Sequence, residues 1–102
     1  MSFFLKGMKM DAEEVLVEVK RIVADYAAVS EKELSGNTHL LTQLYLDSLD
    51  LLCILLEIQG RFDISFDEDR EKVWHAQGIT IMQITNEVLE LLKRQETDSE
   101  DS

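Results

Sequence analysis

Proline is absent from this chain and glycine occurs only four times in 102 residues. Sharp reversals are therefore scarce, which disfavours a many-stranded β fold and favours helices joined by few connections. The apolar spacing agrees. Ala12, Val15, Leu16, Val19, Ile22, Val23 and Tyr26 recur at helical intervals, with Glu13, Glu14, Glu18, Lys20 and Asp25 on the other face. Asp11 and Glu14 have capping-box spacing, so the spacing predicts a first helix over about 11–28.

A long connection follows over 29–47. Ser30 and Glu33 repeat the capping-box spacing and suggest a short turn before Leu34; Ser35, Gly36 and Asn37 then break the chain. Leu40, Leu41 and Leu44 are expected to pin this segment to the core. A connection of this length in a small domain is often functional. The next helix is expected over about 48–61. Leu51, Leu55, Ile58 and Phe62 form its main stripe, flanked by Leu52 and Ile54. Leu49 and Leu56 lie at its border, and Asp50, Cys53, Glu57, Gly60 and Arg61 lie opposite. Asp67 can cap a short helix ending near Val73 and Trp74. Gly78 resets the chain, and Thr80 with Gln83 caps a last amphipathic helix, about 80–94, on Ile81, Ile84, Val88, Leu91 and Leu92. Residues 1–10 read as a flexible lead and 95–102 as a disordered acidic tail. The expected fold is all-α: a small bundle of three main helices and one short one, with a long loop between the first and second.

Composition narrows the function classes. There are 21 acidic residues against 10 basic, a formal net charge of −11. Such a chain suits neither nucleic acid nor an anionic membrane, and basic docking patches are its natural complement. The same acidity also serves simple solubility. Phe3 to Leu5 form an apolar patch too short for a secretion signal and lacking a basic segment before it; nothing approaches a membrane span. A cytoplasmic protein is expected by default.

The chemical constellations are sparse. Cys53 is the only cysteine, and Asp50 and Glu57 nearby oppose a thiolate, so packing is its ordinary reading. Asp63, Ser65, Asp67 and Asp69 have calcium-loop spacing, but Glu68 stands where glycine is needed and Trp74 where the closing glutamate belongs. His39 and His75 lack any catalytic motif, and there is no nucleophile elbow or glycine-rich phosphate loop. No metal and no catalytic residue is expected, and an enzyme is the least favoured class.

Ser48 remains, within LYLDSLDLL over 44–52. Asp47 or Ser48 can cap the second helix, and Asp50 suits its positive end. A phosphate joined to Ser48 would also sit well at that helix N-terminus. At this point residues 11–93 resemble an acyl carrier protein. Asp47-Ser48-Leu49 followed by Asp50 is similar to that family's phosphopantetheine attachment motif. The setting agrees: an amphipathic first helix, a long leucine-ended loop, Phe62-Asp63, an acidic short helix and a Thr-capped last helix.

The resemblance implies that 11–94 is a carrier domain and that Ser48 receives 4′-phosphopantetheine from coenzyme A through a Mg-dependent phosphopantetheinyl transferase. The arm would carry acyl groups as thioesters for fatty-acid, polyketide or related synthesis, and the carrier would perform no chemistry itself. Asp47, Leu49, Asp50, Cys53, Leu56 and Glu57 are the expected recognition residues. The implied partners are the transferase and acyl-loading, synthase and acyltransferase enzymes with basic or apolar patches, met by a monomer. The chain departs from the family pattern in two places. Tyr45-Leu46 replaces the common Gly-Ala or Gly-Val, and Cys53, Leu56, Gln59 and Gly60 occupy places where the family often exposes glutamates. A specialised member with its own partners is expected from this. An aminoacyl or peptidyl carrier of the same fold, and an unmodified helical adaptor binding through its second helix, remain alternatives.

Overall fold

The computed structural model describes residues 11–101, with side chains through Gln95. Among the described residues there are four α-helices, α1 (Ala12–Ala27), α2 (Ser48–Phe62), α3 (Glu68–Gln77) and α4 (Ile81–Asp101), and one 3-10 turn over Glu31–Glu33. The expected lead over 1–10 lies outside the described residues. The all-α bundle and the long loop between α1 and α2 are as the periodicity predicts.

Helix starts follow the side chains that cap them. At α1 the Glu14 amide donates to Asp11 Oδ1 at 2.9 Å, and the Asp11 amide donates to Glu14 Oε1 at 3.1 Å. The Ser30–Glu33 and Thr80–Gln83 boxes also close in both directions. Each box satisfies amides that the first turn leaves without a partner. Helix ends are less visible in the sequence. Ala28 and Asp63 stop α1 and α2 in the left-handed region, with φ of 58° and 57°, although neither is glycine.

Two helices run longer than the apolar pattern suggests. α3 continues past Trp74 to Gln77, because nothing in KVWHAQ breaks a helix before Gly78. α4 continues past 94 to Asp101, through the stretch that acidity marked as tail. No glycine or proline interrupts 81–101, and Arg94, Gln95 and Glu96 are good helix formers.

The core is assembled from Val15, Val19, Ile22 and Val23 of α1, Leu51, Ile54, Leu55 and Ile58 of α2, and Ile81, Ile84 and Val88 of α4. α1 packs against both α2 and α4. α3 contributes a single buried side chain, Trp74, whose ring meets Phe66 edge-on at 5.2 Å. Some apolar residues fall outside the core: Tyr26 and Leu52 are exposed despite their helical spacing.

The long loop is ordered by non-local pairing. Leu40 is fully buried, Leu46 is nearly so, and Leu41 and Leu44 pack on the core. The Leu40 amide donates to the Ile79 carbonyl, the Ile81 amide to Thr38, and the Met82 amide to Gly36. This stitches the loop to the α3–α4 connection, with a bridge between His39 and Thr80. The closeness dictates a glycine at 78. Its φ is 88°, and a Cβ there would lie 2.1 Å from His39 Cε1.

Candidate functional site: the start of the second helix

The loop delivers the chain to α2 through Leu46, which is buried and whose amide donates to the Leu40 carbonyl at 3.3 Å. With Leu46 held, Asp47 falls at the N-cap. Its Oδ1 accepts the Asp50 amide at 2.8 Å, and the Asp47 amide donates to Asp50 Oδ2 at 3.3 Å. This is a fourth capping box, built with aspartate where the sequence pattern usually has glutamate or glutamine. The Leu51 amide then donates to the Asp47 carbonyl at 3.0 Å.

That assignment decides between the two residues able to cap α2. Asp47 does it; Ser48 is the first helical residue. Ser48 is exposed, and among the described residues its hydroxyl makes no hydrogen bond. Beside it, the Ser48 and Leu49 amides have no acceptor among the described residues. An exposed hydroxyl without a hydrogen-bond partner among the described residues thus stands where backbone amides and the helix dipole favour a phosphate.

The remaining expected recognition residues separate into two kinds. Leu49 and Leu56 are exposed, at 66% and 58%, and Leu52 joins them on the same outer row. Cys53 is half-buried. Asp47 and Asp50 hold each other's amides. Glu57 is also occupied: its Oε1 accepts from the Tyr26 hydroxyl of α1 at 2.9 Å. That hydrogen bond, then partial desolvation and the carboxylate's charge, pushes the Tyr26 hydroxyl above its ordinary value. The α1–α2 seam carries a second tie on its surface, where Glu18 takes both Arg61 at 2.7 Å and Arg21 at 2.6 Å.

Gln59 has a role that spacing alone does not disclose. Its amide nitrogen donates to the Leu55 carbonyl at 3.2 Å and its oxygen accepts from the Phe66 amide at 2.8 Å. A glutamate could accept there but not donate. The calcium-like spacing over 63–69 also has structural duties: Asp63 ends α2 and Asp67 caps α3. Among the described residues no group of three histidines, cysteines or carboxylates is arranged to hold a metal.

Comparison with known proteins bears on the same helix start. The family described as "Phosphopantetheine attachment site" matches residues 17–70, which include the loop, Ser48 and all of α2. The acyl carrier protein of Rubrobacter xylanophilus is 35% identical over 65 residues, covering 63% of this chain and 80% of that protein. The chain belongs to the acyl carrier protein family. The acyl carrier protein of Coprothermobacter proteolyticus is 33% identical over 61 residues, 60% of this chain and 74% of that protein. That of Thermotoga maritima is 31% identical over 62 residues, with 60% and 76% covered. Carriers of this family hold phosphopantetheine and are not catalysts, and their partners include a phosphopantetheinyl transferase and biosynthetic enzymes. Among the described residues of this carrier, no helix is long and apolar enough to cross a membrane.

Proposed function

We propose that this protein carries acyl groups on a 4′-phosphopantetheine arm attached to Ser48, within a carrier unit spanning 11–94. The observation that supports it best is the division of labour at the start of α2. Asp47 performs the cap, so the Ser48 hydroxyl is exposed and uncommitted. In the attachment step the Ser48 Oγ–P bond forms, the pyrophosphate bond of coenzyme A breaks and adenosine 3′,5′-bisphosphate leaves. The uncommitted first-turn amides and the helix dipole stabilise the new phosphodiester charge. When bound, the arm supplies a thiol that holds the acyl group as a thioester. The protein's own contribution is position: a fixed helix start, an exposed oxygen and a docking face.

That face differs from a uniformly acidic one. Leu49, Leu52 and Leu56 form an apolar row, Asp47 and Asp50 keep acid beside Ser48, and Glu57 lies further along the helix, paired with Tyr26. It suits partner enzymes that combine an apolar patch with a few basic residues, and a specialised rather than a general carrier. We place this carrier in the cytoplasm, as a monomer without activity of its own. The test is loading. Incubation with an acyl-coenzyme A, Mg²⁺ and a promiscuous transferase should yield an acyl-bearing protein that hydroxylamine deacylates. An acyl group that resists hydroxylamine, or that appears equally on Ser48→Ala, would reject the thioester assignment.

A further inference from the structure

Three residues before Ser48, Tyr45 has two properties that do not help the fold. Its backbone is left-handed, with φ of 57°, a conformation costly for tyrosine and free for glycine. The residue is 87% exposed, so packing against the rest of the chain does not offset that cost. Among the described residues the Tyr45 hydroxyl makes no hydrogen bond. A strained backbone holding an exposed aromatic ring points to a role in binding rather than in stability.

The backbone that carries the ring is also held in place. On one side Leu44 packs on the core; on the other Leu46 is buried, and Asp47 is fixed by its capping box. Tyr45 therefore projects from a backbone anchored at both neighbours. On α2 itself Leu49, Leu52 and Leu56 are exposed at intervals of three and four residues. Three residues of chain span at most about 11 Å, so the exposed Tyr45 ring lies within the footprint of an enzyme that docks to reach the Ser48 hydroxyl.

We propose that Tyr45 is a specificity-determining residue for enzymes that act at Ser48. Its ring requires a hollow in the enzyme surface and holds off surfaces that lack one. A rigid aromatic side chain fits this use, since it fills a hollow with little loss of freedom and clashes where none exists. The inference rests on Ser48 as the attachment point.

The test is steady-state phosphopantetheinylation of the full chain by a promiscuous transferase with coenzyme A and Mg²⁺. The substrates are the parent, Tyr45→Gly, Tyr45→Asn and Tyr45→Phe, with Ser48→Ala as the blank. Asparagine tolerates the left-handed backbone, so it removes the ring without the freedom of glycine. The expected result is a KM lower by about tenfold for both Tyr45→Gly and Tyr45→Asn, the effect of one well-placed interface side chain. kcat should be unchanged, and Tyr45→Phe should follow the parent. A KM that is equal or higher in the ring-free variants overturns the proposal, as does a fall seen with glycine alone, which would reflect backbone freedom. If all four substrates stay at the level of the Ser48→Ala blank, the attachment assignment itself fails and Tyr45 falls with it.

Discussion

The Asp47 carboxylate takes the amide hydrogen of Asp50, and this leaves the next side chain without a structural task. Replacing the two residues should therefore have different consequences. Asp47→Ala removes a cap and should cost about 1 kcal/mol. Ser48→Ala should change stability by no more than about 0.5 kcal/mol, as expected for an exposed side chain without contacts. Urea unfolding of both variants beside the parent checks this, and equal losses would contradict the assignment. Sequence alone left Asp47 and Ser48 as competing caps, because both residue types suit the position and only the seating of Leu46 fixes which one reaches the amide. Glu57 likewise read as a free recognition charge, because its partner Tyr26 is distant in sequence. The Tyr26–Glu57 tie makes its own prediction. The folded state holds the Tyr26 proton more tightly, so the tie contributes below the ordinary tyrosine value of about 10 and is lost as pH rises through the raised folded value. Tyrosinate absorbance of a Tyr45→Phe protein, whose one remaining tyrosine is Tyr26, should show a midpoint above about 10 that falls in the added Glu57→Ala variant. A midpoint indifferent to Glu57 would refute the tie.

Elements whose stability is local were the legible ones. α1, α2 and the start of α4 follow from apolar period and capping spacing, both of which lie within a few residues of one another. The ends were less legible. Ala28 and Asp63 adopt left-handed caps without the glycine that usually signals one, and α3 outruns its apolar residues. The loop was visible as a length and not as a structure. Its hydrogen bonds reach Ile79, Ile81 and Met82, some forty residues away, and no local pattern records such a pairing. Gly78 joins the two segments at their closest approach. Gly78→Ala would combine an unfavourable φ with a clash against His39, and should cost about 2 kcal/mol or more. Thermal unfolding would show it as a lower midpoint. A variant as stable as the parent would mean that the loop is not seated as described.

At the scale of the molecule, α1 packs against both α2 and α4, while α2 shows apolar residues on both of its sides. Leu51, Ile54, Leu55 and Ile58 face inward; Leu49, Leu52 and Leu56 face out. The outer leucines are the ones that the sequence sets at the flank and border of the α2 stripe. The inner row builds the fold and the outer row flanks an uncommitted serine. The chain carries a formal net charge of −11, so association with basic partners should be faster at low salt than at high salt. The proposed function turns on attachment of the arm to Ser48. The measurement that tests it most directly is the intact mass of the protein after incubation with coenzyme A, Mg²⁺ and a phosphopantetheinyl transferase, run beside Ser48→Ala. The expected result is a gain of one phosphopantetheine group in the parent and none in the variant. A parent that starts without the group and stays unchanged, or a variant that gains it equally, would contradict it.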